Sequence, residues 1–259
     1  TVHDLIPFKY PHTTTDSIRQ AHKKRLHWVA RESGKIIAVS RSTKEDLISI
    51  LRIPEDKIVV IPEGVESRYT PQPLELVDQI KHRYKIKGDY IFSLSTLEPR
   101  KNQAGLIRAF EIVKKTYPDL TLLIGGRTGW GEMPIPVEGV LMPGFISDND
   151  LPVLYSGALV YALPSFYEGF GLSPLQAMAC GAPVVTSNVS SMPEVVGEAG
   201  VLVDPEDPQN IAAGIITAVS KRGKLRELGF AQAAKFTWDK AAESTYSVYR
   251  EVLSKHQNK

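Results

Sequence analysis

From Tyr90 to Lys221 the chain alternates short apolar runs with helical segments, and that alternation restricts the fold more than any other feature. Tyr90–Ser95, Leu120–Ile124, Val140–Met142, Leu159–Ala162, Val184–Thr186 and Val201–Val203 each have the length and composition of a buried strand. Helix-opening signals lie between them. Asn102 is a cap, Ser147-Asp148-Asn149-Asp150 reads as a capping box, and Asp207 caps a helix over 208–221 with Pro208 in its first position. A small loop–helix is expected at Met192–Val196. Five or six strands alternating with helices imply an α/β fold with a parallel, doubly wound sheet. Ligands of such sheets bind beyond the carboxyl ends of the strands. Lys101, Gly125, Gly144 and Glu168 all fall there.

The first third repeats the pattern in shorter form. Val2–Ile6 is expected to end a strand, with His3-Asp4 at its carboxyl edge, and Pro7 and Pro11 then force an irregular loop. Thr15 or Asp16 caps a helix to about Arg31, apolar at Ile18, Ala21, Leu26, Val29 and Ala30. Its Lys23-Lys24-Arg25 cluster reads either as a solvated face or as contact with an anionic membrane surface. Ile36–Val39 and Ile58–Ile61 are strands, and Ser42-Thr43-Lys44-Glu45 opens a helix to about Leu51. Residues 65–87, with Pro71 and Pro73, are the best candidate for an interdomain linker, with one short helix near Leu76–Lys85. The tail carries helices near Lys224–Lys235 and from Asp239 to about Leu253.

Composition removes several classes of function. With 259 residues the chain can build one or two domains, and a net charge of +2 gives no polyanion-binding bias. Trp28, Trp130 and Trp238 are scattered, so no stacking platform for nucleic acid is present. Cys180 is the single cysteine, which excludes an internal disulfide and suits a reducing, cytoplasmic compartment. It reads as a small buried packing residue. No apolar run reaches ~18 residues. The loop Gly125–Glu132 has the glycines of a nucleotide loop but neither the dinucleotide nor the P-loop spacing. There is no Cys/His cluster, so a structural zinc site is not expected. The opening Thr1-Val2-His3-Asp4 reads as a chain cut within a domain.

The stretch Tyr167-Glu168-Gly169-Phe170-Gly171-Leu172-Ser173-Pro174-Leu175-Gln176 is a glycine-rich loop running onto a helix. Ser173 is expected as the N-cap, Pro174 as the first helical residue and Gln176, three residues after Ser173, as its capping-box partner. A helix N-terminus so placed presents N–H groups and positive partial charge, which suits a phosphate.

These segments, together with Val60–Val65, Ser95–Asn102, Pro143–Ser147, Pro164–Leu172 and Met192–Gly197, resemble the family 4 glycosyltransferases. That resemblance implies the GT-B fold, with residues 1–64 as the second half of an N-terminal, acceptor-side Rossmann-like domain. It implies a donor-binding domain over 88–236 and a crossing-back helix over 237–259. Lys101 is matched to the lysine that contacts the donor diphosphate. The arginine expected five residues earlier is replaced by Thr96, and Arg100 is the candidate to take its place. Glu168 is matched to a glutamate beside the donor sugar, and the amides of Phe170, Gly171 and Leu172 to groups holding sugar and phosphate. Gln176 stands where a ribose-binding glutamate is expected. Phe145 and Ile146 are matched to the base-binding segment, with Arg127 as a further phosphate candidate. His3 is matched to a histidine facing the sugar, with Asp4 as its orienting partner.

The implied activity is metal-independent, retaining transfer of a hexose from a GDP- or UDP-sugar to a glycan or lipid-linked acceptor, within a subgroup that includes mannosyltransferases. The enzyme would be cytoplasmic and peripheral to the inner face of the membrane. Alternatives are a GT-B epimerase or phosphorylase, or a nucleotide-sugar-binding fragment that self-associates or awaits a missing N-terminal half.

Overall fold

The computed structural model describes residues 1–131 and 135–257. Residue 132, the end of the loop expected after the second strand of the main sheet, and residues 258–259 of the expected tail lie outside the described residues. The chain divides into two compact units. One comprises Thr1–Gly64, Glu168–Phe170 and the chain from Phe236 onward; the other comprises Val65–Tyr167 and Gly171–Lys235. Residues 65–87, expected as a linker, are grouped with the second unit.

The first unit begins with a short helix, α1 (Ile6–Lys9), and a longer one, α2 (Asp16–Glu32). Strand β1 (Ile36–Ala38), helix α3 (Arg41–Leu51) and strand β2 (Ile58–Val60) follow. The strands pair in parallel. The strand expected over Val2–Ile6 shrinks to one bridge, Val2 to Ala38. Asp4 is the reason: its Oδ1 accepts the Ile6 amide at 2.9 Å and turns the chain into α1. The two prolines do not make an irregular loop. Each takes an early position of a helical turn, where its missing N–H is not needed. Thr15 caps α2, but α3 starts earlier than expected. Its cap is Ser40, whose Oγ accepts the Thr43 amide at 3.0 Å. A core of Leu5, Leu26, Ile36, Ala38, Leu47 and Ile58 closes the unit.

The second unit opens with α4 (Leu74–Arg83), whose Val77 and Ile80 are buried. Strands β3 (Tyr90–Leu94), β4 (Thr121–Gly125) and β5 (Val140–Gly144) follow, with α5 (Gln103–Val113) after β3. Then come α6 (Leu151–Gly157), β6 (Val160–Leu163), α7 (Leu172–Ala179), β7 (Val184–Ser187), α8 (Met192–Val196), β8 (Gly200–Val203), α9 (Pro208–Ser220) and α10 (Arg222–Ala233). The six strands are all parallel, in the order β5-β4-β3-β6-β7-β8. The doubly wound sheet expected from the alternation is therefore present. Its strands run outward from β3 in one direction and from β6 in the other, so β3 and β6 flank the switch point where such sheets take ligands.

Both faces of this sheet are covered. Ile91, Leu122 and Val160 point toward Leu106, Phe110, Ile211 and Ile215 of α5 and α9, all of them fully buried. The alternate position Phe92 lies on the other face, in an edge-to-face cluster with Tyr155 and Tyr161, centroids 5.3 and 6.0 Å away. Burial on both faces is why these strands read as continuous apolar runs. Asp150 is at the α6 cap position but makes no side-chain cap, which corrects the expected box. Its carboxylate instead accepts Arg83 at 2.6 Å and the Tyr84 hydroxyl at 2.8 Å, pinning the end of α4. The last helix, α11 (Trp238–Gln257), belongs to the first unit, where Val248 is buried with Ile37 and Ile61. No helix among the described residues is long and apolar enough to cross a membrane.

Candidate functional site

The loops leaving β3 and β6 are tied to one another at the switch point. Arg100 does most of the tying. Its guanidinium donates to the carboxylate of Glu98 and to the carbonyl of Tyr167, and its own carbonyl accepts the Phe166 amide at 2.9 Å. Arg100 and Glu98 are both 7% exposed. Arg100, expected to replace a phosphate-binding arginine, is thus engaged as a buried strut. Asn102 reinforces it: Nδ2 donates to the carbonyls of Pro164 (3.1 Å) and Pro205 (2.6 Å), while Oδ1 caps α5 through the Gly105 amide. Lys101 sits between these two anchors, half-buried, at the end of the helical turn Pro99–Lys101. Its backbone is fixed on both sides, so its ammonium is carried on a rigid base at the carboxyl edge of β3.

The loop after β4 lies alongside. Leu97 N donates to Arg127 O at 2.9 Å, and Gly129 N returns to Leu97 O at 3.1 Å. Gly126 makes this approach feasible. Its φ is +143°, and a Cβ there would stand 1.7 Å from the Ser95 carbonyl oxygen. Gly126 N also bonds Gly144 O at 2.8 Å, which draws the end of β5 into the same edge. There the Arg127 guanidinium lies 4.8 Å over the ring of Phe145, which is 58% exposed. Such an open cation–π pair contributes about 0.5–1 kcal/mol and presents a flat, cationic surface. Ile146 differs: its side chain is buried against Gly125, leaving only its backbone for a ligand.

At the end of the β6 loop the helix starts earlier than the sequence suggested. The N-cap of α7 is Gly171 and its first residue is Leu172, with no side-chain cap. Ser173 and Pro174 are therefore inside the first turn, and the Ser173–Gln176 capping box does not form. The amide of Leu172 lies within the first turn, where N–H groups have no intrahelical partner. Gln176 has another bond: its Oε1 accepts the Tyr155 hydroxyl at 3.2 Å. Tyr155 is fully buried, and desolvation holds its phenol well above the ordinary tyrosine range, so it stays a donor. Cys180 is buried, and desolvation pushes its thiol up to about 12, so it is an inert packing residue as expected.

The remaining candidates belong to the first unit. His3 is exposed, and its Nδ1 lies 3.0 Å from Glu63 Oε1. Glu63, not Asp4, is therefore the orienting carboxylate; Asp4 is spent on the α1 amide. Glu63 lies in the Val60–Val65 segment, but nothing local in the sequence links it to His3, 60 residues away. Glu168 is 9% exposed, and Phe170 packs edge-to-face on Phe236 with centroids 5.9 Å apart. The candidates thus fall into two sets. His3, Glu168 and Phe170 are in one unit; Arg100, Lys101, Arg127, Phe145, Ile146, Gly171, Leu172 and Gln176 are in the other.

The family model for "Glycosyl transferases group 1" matches residues 77–235, which holds the entire six-stranded sheet, and that for "Glycosyltransferase Family 4" matches residues 1–69. The chain belongs to the group 1 glycosyl transferases. It is 35% identical to O-antigen chain mannosyltransferase B of Escherichia coli over 96% of this chain and 69% of that protein. It is 29% identical to the serotype-specific mannosyltransferase WbdA of Escherichia coli, over 98% of this chain but only 33% of that protein. Among solved structures, Anabaena Alr3699/HepE, crystallised with UDP and glucose, aligns with a TM-score of 0.81 at 20% identity, over 96% of this chain and 70% of that one. Sucrose-phosphate synthase from Thermosynechococcus elongatus aligns at 0.74 and 22% identity, over 97% of this chain and 67% of that one. These likenesses place the chain in the GT-B fold class.

Proposed function

We propose that this glycosyltransferase moves a hexose, as a mannosyltransferase does, from a nucleoside-diphosphate sugar (GDP- or UDP-linked) to a glycan or lipid-linked acceptor, with retention and without a metal. One observation carries the reading: Lys101 and the start of α7 stand at the carboxyl ends of the two switch-point strands, on loops braced by Arg100 and Asn102. That is where a doubly wound sheet takes a phosphate-bearing ligand. The relatives' names supply the sugar; the family match supplies the reaction class.

In this reading the diphosphate is held by the Lys101 ammonium and the first amides of α7, and Arg127 with Phe145 faces the nucleoside. Gln176 serves the ribose with a neutral hydrogen bond, worth about 1 kcal/mol against about 1.5–3 for a carboxylate. Glu168 and His3 act on the sugar, His3 being oriented by Glu63. The bond from the anomeric carbon to the diphosphate oxygen breaks as the acceptor oxygen bonds to the same face. The acceptor proton passes to the departing phosphate. Fixed cations and amide dipoles stabilise the charge that builds on the leaving group.

The test is release of nucleoside diphosphate from GDP-mannose, UDP-glucose and their congeners, with and without a mannose-terminated glycan. Release that requires acceptor and survives a chelator is expected. Release independent of acceptor would point to epimerase or hydrolase chemistry, and loss on chelation would refute metal independence.

A further inference from the structure

The buried hydroxyls of Ser40 and Thr43 have no part in the reading above, yet they reach the backbone of His3 and of Gly169, the residue after Glu168. Ser40 is 1% exposed and Thr43 is fully buried. Ser40 Oγ lies 2.6 Å from the carbonyl oxygen of Gly169, and Thr43 Oγ1 lies 3.2 Å from the carbonyl oxygens of both His3 and Gly169. The protons can be counted. Ser40 Oγ accepts the Thr43 amide at 3.0 Å as the cap of α3, so its single proton is available for Gly169, its shortest contact. Thr43 then gives its proton to His3. Gly169 meets the His3 backbone so closely that a Cβ would fall 2.1 Å from the His3 carbonyl oxygen and 2.9 Å from Asp4 Cβ. Glu168 precedes Gly169, and no other residue type fits there.

We propose that Ser40 and Thr43 are positioning residues: through two backbone carbonyls they fix the register of the His3 segment against the Glu168 loop. The inference rests on the functional reading in assigning catalytic importance to His3 and Glu168. The clamp itself is a matter of geometry. Loss of one buried hydroxyl frees a carbonyl rather than removing any group that touches the sugar. Its kinetic signature is a lower kcat with donor affinity unchanged, because misplacement at the reacting centre penalises the transition state more than binding.

Thr43→Val keeps the shape of the side chain and removes the donor; Thr43→Ser keeps the donor. In the full chain, hydrogen exchange of peptides covering 1–8, the segment whose His3 carbonyl loses its donor, is expected to quicken about tenfold in Thr43→Val and to stay at the wild-type rate in Thr43→Ser, as expected when about 1.4 kcal/mol of local restraint is lost. Turnover is expected to fall roughly 10- to 100-fold in Thr43→Val, with unchanged donor Kd, and to be retained in Thr43→Ser. If Thr43→Val does not fold, Thr43→Ala replaces it. Unchanged exchange in the hydroxyl-less variants overturns the clamp whether or not the wild type turns over. Faster exchange with unaltered kcat overturns the positioning role. A wild-type chain inactive with every donor, but showing the exchange difference, would count against the functional reading and not against the clamp.

Discussion

Arg100→Ala is expected to destabilise the protein by about 3–5 kcal/mol, because it leaves the Glu98 carboxylate buried without its counter-charge. The Tyr167 carbonyl loses its donor as well. For a domain of this size that corresponds to a fall in melting temperature of about 6–20 °C. The comparison that isolates the cause is the double variant Glu98→Met with Arg100→Met. Removing both charges replaces a buried pair by apolar groups, which is often near neutral, so the double variant should melt well above the single one. Melting curves followed by circular dichroism decide it. A single variant as stable as the wild type would mean that Arg100 is not a strut.

The neighbouring residue is expected to behave in the opposite way. Lys101→Ala should lower the melting temperature much less than Arg100→Ala, since Lys101 is half-buried and its loss does not leave a buried carboxylate without its counter-charge. It should lower kcat/KM by about 10²–10³, the usual effect of removing one group aimed at developing charge. Most of the loss is expected in kcat, because charge on the diphosphate grows as the glycosidic bond breaks. Lys101→Arg should recover only part, since a planar fork does not reproduce a compact ammonium. Steady-state kinetics against the same donor give both numbers. Adjacent residues would then show separate roles, one holding the loops and one serving the ligand.

Much of this was legible in the sequence. The alternation of buried strand and helix depends on local composition, and all six strands of the main sheet lie within two residues of their expected bounds. The failures occur where several residues compete for one role. Ser40 and Ser42 can both cap α3, and burial of the Ser40 hydroxyl against Gly169 decides between them. Asp150 is a good cap by type, but Arg83 and Tyr84 claim its carboxylate. At α7 a glycine opens the helix, so the signal from Ser173 and Pro174 points two residues too late. Candidate site residues are legible when they sit near strand ends, as Lys101 and Arg127 do. Their partners are not. The links from His3 to Glu63 and from Arg100 to Tyr167 span 60 and 67 residues and carry no local pattern. Asp4 looked like the partner of His3 because it is adjacent, and adjacency in a chain turning into a helix puts it to another use.

The most direct test of a donor site at this sheet edge is a thermal-shift panel of GDP-, UDP-, ADP- and dTDP-sugars on the wild-type chain and Lys101→Ala. At a concentration about 100 times Kd, a bound donor stabilises by about 2.7 kcal/mol, or about 5–11 °C for a protein of this size. One nucleotide class is expected to raise the wild-type melting temperature by that amount and Lys101→Ala by much less. A flat panel on the wild type, or an equal shift in both proteins, would contradict the site.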